Sequence, residues 1–134
     1  MKILIVVLGL LLFSSAAQAG DLLLHGPSLH IPDRSENNAT IGLGYLSDSG
    51  FAVGAYRNSQ RKASVYAAYH LPLATWGRLE LGVVGGVATG YGPALVPGGI
   101  GLARISLDKD WRIYFGGGPT WHGAVLNLSV GRAL

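Results

Sequence analysis

The stretch GFAVGAYRNSQRKASVYAAY, Gly50 to Tyr69, reads as two short strands joined by a polar, basic turn. Phe51, Val53 and Ala55 alternate with smaller or polar neighbours before the turn, and Val65, Ala67 and Tyr69 do so after it. This is the period-2 pattern of strands with one apolar face. The turn Arg57-Asn58-Ser59-Gln60-Arg61-Lys62 holds three of the ten Lys and Arg residues of the chain, with Tyr56 and Tyr66 near its two ends.

Outward from this hairpin the same pattern repeats. On the N-terminal side, Ser47 to Gly50 is a turn, and before it Ala39, Ile41, Leu43 and Tyr45 share one face while Thr40, Gly42 and Gly44 share the other. Leu22 to Leu24 and Leu29 to Ile31 flank an expected break at Gly26-Pro27, followed by a polar loop from Pro32 to Asn38. On the C-terminal side, a break is expected from Pro72 to Gly77. The longest run, Arg78 to Ala88, then sets Leu79, Leu81, Val83 and Val87 opposite Arg78, Glu80, Gly82 and Gly86. Thr89 to Gly99 reads as a long Gly- and Pro-rich connection, Ile100 to Leu107 as a strand and Asp108 to Asp110 as a tight turn. Trp111 to Phe115 answers that turn, Gly116 to Gly123 reads as a loop, and a closing strand runs from Ala124. Eight extended runs result, with no helical period and no internal repeat.

Met1 to Ala19 has the three parts of a secretory signal peptide. Lys2 is the charged n-region, Ile3 to Phe13 the apolar run and Ala17-Gln18-Ala19 the cleavage motif, so residues 1–19 are expected to be removed and residues 20–134 to form a single domain. The apolar run is too short to span a bilayer as a helix. The net charge of +3 is mildly basic, and no Lys/Arg-rich run suits a nucleic-acid backbone. With no Cys, an exported domain of this size is held together without disulfides. His25, His70 and His122 form no metal-ligand grouping, so neither a metal nor a cofactor is expected.

The non-apolar faces decide the environment. They carry mostly Gly, Ala and Ser with a few charges, which suits the tight interior of a small barrel better than the wet face of a sandwich. Arg78, Glu80, Arg104 and Arg112 fall on this face and are expected to form an internal ion-pair cluster. Aromatic residues near strand ends, among them Tyr45, Phe51, Tyr69, Trp76 and Trp111, suit interfacial girdles. The expected fold is therefore all-β, an eight-stranded antiparallel up-and-down barrel of the outer-membrane type, which leaves no unpaired edge in lipid. Against this, a membrane-crossing strand needs roughly 9–11 residues, and Phe51 to Tyr56 and Trp111 to Gly116 are shorter. A soluble periplasmic barrel is the alternative.

Several segments, taken in order, resemble the lipid A palmitoyltransferase (PagP) family. They are Ser28-Leu29-His30, Asn37 to Gly44, Tyr56-Arg57-Asn58-Ser59, Leu81 to Val87, the Pro93 to Gly101 region and Gly118-Pro119-Thr120. The resemblance implies an outer-membrane barrel that moves a palmitoyl-like chain from a phospholipid to lipid A as a monomer. It makes His30 the base and Ser59 the positioned hydroxyl. Asn58 stands where the family has Asp, so it is expected to act as an auxiliary donor to a developing oxyanion. In an ungapped reading His70 falls at the glycine that sets acyl-chain length. Arg57, Arg61 and Lys62 are expected to hold the phosphates of lipid A. Two other functions stay open on the residues alone: a non-catalytic outer-membrane barrel that binds lipid or a partner through its basic rim, and a soluble periplasmic binding or inhibitor barrel. Asn58-Ser59 is also ordinary turn chemistry.

Overall fold

In the computed structural model, residues 19–32, 37–92, 95–120 and 123–134 are described. The expected signal peptide, apart from Ala19, lies outside them. Eight strands follow one another: β1 Gly20–Ile31, β2 Gly42–Ser47, β3 Phe51–Arg57, β4 Ala63–Trp76, β5 Leu79–Ala88, β6 Val96–Ser106, β7 Trp111–Thr120 and β8 Gly123–Ala133. Each pairs antiparallel with its neighbour in sequence, and β1 pairs with β8, so the sheet closes into a barrel in the expected up-and-down order. Closure gives every strand a neighbour on both sides without a second layer.

Four expected boundaries are corrected. β1 runs through Gly26-Pro27 and β4 runs through Pro72, each with a register shift, between His25 and Ser28 and between Pro72 and Ala74. In β1 Pro27 falls within the bulge, so its missing N–H costs no ladder bond, whereas in β4 Pro72 stays paired with Gly82 and the bulge leaves Leu73 outside the ladder. β6 begins at Val96 and β7 continues to Thr120, within segments expected to be loops. In these segments the strand is carried by glycine and proline, which supply no alternation of apolar side chains for periodicity to register. Six of the eight strands have ten residues or more, while β2 has six and β3 seven.

The alternation sorts side chains outward and inward. Leu24, Ile41, Leu43, Leu71, Leu73 and Leu126 are exposed, with Ile41 at 62% and Leu73 at 65%. Asp21, Leu23, Ala52, Ser64, His70 and Tyr114 are buried inside. One end of the barrel, the turn end, holds the short β2–β3, β4–β5 and β6–β7 connections together with Gly20 and Ala133. The opposite, loop end holds the connections between β1 and β2, β3 and β4, β5 and β6, and β7 and β8.

At the turn end the lumen is filled by ions. The Asp21 carboxylate accepts from the Arg112 guanidinium and from the Tyr114 hydroxyl. Arg104 donates to Glu80 at 2.7 Å, and His70 Nε2 lies 3.5 Å from the other Glu80 oxygen. The expected cluster of Glu80, Arg104 and Arg112 thus forms, with Asp21 added. Arg78 does not join it, because it sits in the exposed turn and donates to the Leu107 carbonyl at 3.0 Å. Above this plug Leu23, Leu46, Ala52 and Tyr114 form the buried apolar cluster, with Tyr66, Ala68 and Leu102 against it.

The β6–β7 seam is incomplete. Pairing runs from Ser106↔Arg112 to Gly101↔Gly117 and stops, although β6 begins five residues earlier at Val96 and β7 goes on to Thr120. Pro119 has no N–H to offer a ladder at this point. A groove of about 380 Å³ lies along the seam, lined by Val83, Gly85, Gly99, Gly101, Gly117 and Pro119 among others.

Candidate functional site

Toward the loop end the lumen opens into a cavity of about 570 Å³. His30, near the end of β1, and Ser59, in the β3–β4 turn, both line it. An up-and-down barrel brings the end of an odd-numbered strand and the turn following another odd-numbered strand to the same rim, and the loop before β2 ties them together. Asn38 Oδ1 accepts from His30 Nδ1 at 2.8 Å and from the His30 backbone N–H at 3.3 Å. The neighbouring Asn37 donates its backbone N–H to the Ser59 carbonyl at 2.9 Å and its side-chain amide to the Asn58 carbonyl at 3.1 Å. Two adjacent asparagines therefore hold the histidine from one side and the serine turn from the other.

The bond to Asn38 has a chemical consequence. With Nδ1–H donated to Asn38, His30 is fixed in the tautomer whose Nε2 carries the lone pair, the form a general base requires. Asn38 orients the His30 ring, a contact that the sequence did not foreshadow. Asn38 lay in the expected polar loop and in the Asn37 to Gly44 segment, but its eight-residue separation from His30 follows no motif.

Asn58 is a different matter. It is fully buried, and its amide is consumed by the turn. Nδ2 donates to Ser64 Oγ and to the Gly90 carbonyl, both at 2.9 Å, and Oδ1 accepts the backbone N–H groups of Gln60 at 2.9 Å and Lys62 at 3.0 Å. Gly90 stands at φ +89°, and a Cβ there would meet Asn58 Nδ2 at 2.9 Å and Ser64 Oγ at 2.6 Å. Both amide hydrogens are committed, so the expected role of auxiliary oxyanion donor gives way to that of a turn lock, a role that needs an amide rather than a carboxylate. Arg57, Arg61 and Lys62 are exposed around this turn, with Arg61 in the left-handed region at φ 60°.

A second polar group stands deeper in the cavity. His25 Nε2 lies 2.7 Å from the Tyr66 hydroxyl and His25 Nδ1 lies 3.0 Å from Ser129 Oγ. Gly44 permits this packing, because a Cβ there would strike the Tyr66 hydroxyl and come within 2.8 Å of His25 Nε2. Tyr56 packs beside Tyr66 with ring centroids 6.0 Å apart and shares a 2.7 Å hydrogen bond with the Tyr91 hydroxyl. The rest of the lining is largely apolar and includes Leu46, Val84, Val87, Ile100, Leu102 and Val125. Val84, Gly99 and Ile100 border both this cavity and the outer groove at the β6–β7 seam.

No model of a known protein family matches the chain, and no curated protein matches it.

Proposed function

We propose that this protein is an outer-membrane acyltransferase that draws the acyl chain of a phospholipid into its lumen and passes it to lipid A at the loop-end rim. The observation that carries the reading is that His30 and Ser59 border one largely apolar cavity of about 570 Å³, within the roughly 300–1,000 Å³ of small-molecule sites. His30 Nε2 takes the proton of the accepting lipid A hydroxyl as that oxygen attacks the ester carbonyl, with the Ser59 hydroxyl positioned beside the reacting carbon. The bond to the glycerol oxygen then breaks, and the leaving alcohol takes the proton from His30. Arg57, Arg61 and Lys62 supply the cationic rim for the acceptor's phosphates. The unpaired β6–β7 seam, with residues common to groove and lumen, gives an alkyl chain a lateral path from the bilayer.

The membrane assignment is supported by the outward row of Leu, Ile and Val, which in water would form an apolar surface far larger than a monomer exposes. Phe51, Tyr69, Trp76 and Trp111 are exposed toward the turn end, where an interfacial girdle belongs. Asn58 favours a second reading, a barrel of the same design that binds lipid through its basic rim without turnover. The lipid A of cells producing the protein, analysed by mass spectrometry beside His30→Ala and Ser59→Ala variants at matched levels in the membrane, separates the two. A new acylated species lost in both variants is expected. Unchanged lipid A with a correctly inserted barrel would leave the binding reading standing.

A further inference from the structure

We propose that Ser129, His25 and Tyr66 form a second reactive centre inside the lumen, one that cleaves esters of short fatty acids through an acyl-serine. It is separate from the rim: His25 stands five residues before His30 on β1, and Ser129 lies directly across from it on β8. A serine within hydrogen-bond reach of a histidine whose other nitrogen is held by a third group is the arrangement of an activated nucleophile. Both of its contacts fall inside the 2.6–3.2 Å range such groups require, at 3.0 and 2.7 Å. Ser129 is 9% exposed, and all three side chains line the cavity, so the hydroxyl borders the ligand space.

The roles follow from the contacts. The Tyr66 hydroxyl oxygen accepts the His25 Nε2–H, which leaves Nδ1 as the basic nitrogen facing Ser129. Ser129 Oγ attacks the ester carbonyl and its proton passes to His25 Nδ1. The ester C–O bond breaks and the alcohol leaves with that proton. Water then attacks the acyl-serine, giving one proton through His25 back to Ser129 Oγ as the fatty acid departs. Tyr66 is a positioning residue and does not touch substrate.

The surroundings select the substrate class. On the turn-end side of Ser129 the lumen is lined by Leu23, Leu46, Ala52 and Leu102 and closed by the ion pairs, so the acyl group beneath the serine is short. On the loop-end side the lining includes Ser28, Thr40 and Gln60, which suit the polar alcohol portion.

The test is reaction of the folded, detergent-solubilised protein with a short-chain alkyl fluorophosphonate, with the modified peptide located by mass spectrometry and butyrate ester hydrolysis followed in parallel. Heat-modifiable migration on a gel certifies folding of each sample. Labelling of Ser129 is expected, slowed roughly 100-fold or more in His25→Gln by loss of the base. Tyr66→Phe, which keeps the ring, is expected to slow labelling less and to move its pH dependence, a change that packing alone does not produce. Labelling confined to Ser59, no labelling of the folded wild-type protein, or labelling of His25→Gln at the wild-type rate would each overturn the proposal. The rim chemistry is read independently, because Ser59→Ala removes the lipid A product and leaves Ser129 labelling intact.

Discussion

The lumen is built from one set of alternating strands, yet its two halves are filled in opposite ways. At the turn end Asp21, Arg112, Tyr114, Glu80 and Arg104 close the barrel with charge-assisted bonds. Toward the loop end Tyr66 packs over Gly44 and Gly54, and the lumen stays open as a cavity bordered by Gly86, Gly98 and Gly99 together with hydroxyls, imidazoles and amides. Ion pairs fill the lumen near the short turns, whereas small residues and ring side chains leave it open toward the loops. The contrast separates an ion-paired, closed half from a half with an open cavity.

Asp21→Ala strikes that division hardest. It leaves the Arg112 guanidinium without its carboxylate and the Tyr114 hydroxyl without its acceptor in a buried setting, at an expected cost of about 3–5 kcal/mol. Guanidinium unfolding in detergent, followed by heat-modifiable mobility, measures it. The double variant Asp21→Leu with Arg112→Met is expected to recover part of the loss, since an apolar pair removes the stranded charge. A neutral effect of Asp21→Ala would erase the distinction between the halves.

Asn58→Ala probes the loop end. Its turn loses four hydrogen bonds, and the expected loss of about 1–3 kcal/mol is smaller than at the plug. Amide exchange should quicken at Gln60 and Lys62 while β7 and β8 keep their protection. Tyr56→Phe, which removes the bond to Tyr91, is expected to cost about 0.5–1.5 kcal/mol in the same unfolding assay. Replacing Arg57, Arg61 and Lys62 together by Gln is expected to change folding stability by no more than about 0.5 kcal/mol per site. Binding to vesicles containing anionic lipid, measured by sedimentation, should fall and lose its salt dependence.

The smallest effect lies outside the barrel wall. Asp108 accepts the backbone N–H groups of Asp110 at 2.7 Å and Trp111 at 2.8 Å, and these bonds hold its carboxyl below the ordinary carboxylate range. A lowered folded-state pKa stabilises above the ordinary value and is lost as pH falls through the lowered one. Asp108→Asn should therefore narrow the difference in unfolding midpoint between neutral and strongly acidic solution, slightly, because the group is exposed.

How much of this was legible varies along the chain. Where Leu43, Leu81 and Val83 alternate with glycine or charge, both strand and facing were readable, and so was the inward cluster of Glu80, Arg104 and Arg112, although β2 begins at Gly42 rather than Ala39. The Gly26-Pro27 break misled because a bulge absorbs a missing N–H that a regular ladder cannot, and the Pro72 break because the strand continues past the proline through a bulge at Leu73. Arg78 sat on the correct face by parity but one step into a turn, where parity no longer applies. At the site, His30 and Ser59 were legible as rim residues from strand counting, while the function of Asn58 was not. Whether a turn amide faces a ligand or its own backbone depends on the path of the loop carrying Gly90.

By itself the sequence determined the all-β class, the strand order and which face of each strand is apolar, because period-2 patterning is a local property of the backbone. Only the tertiary structure decided where the lumen is filled and where it is open. Closing β1 on β8 sets His25 against Ser129, 104 residues apart, and sets Asp21 against Arg112 and Tyr114. Such contacts depend on register and closure around the whole barrel, which no local pattern encodes.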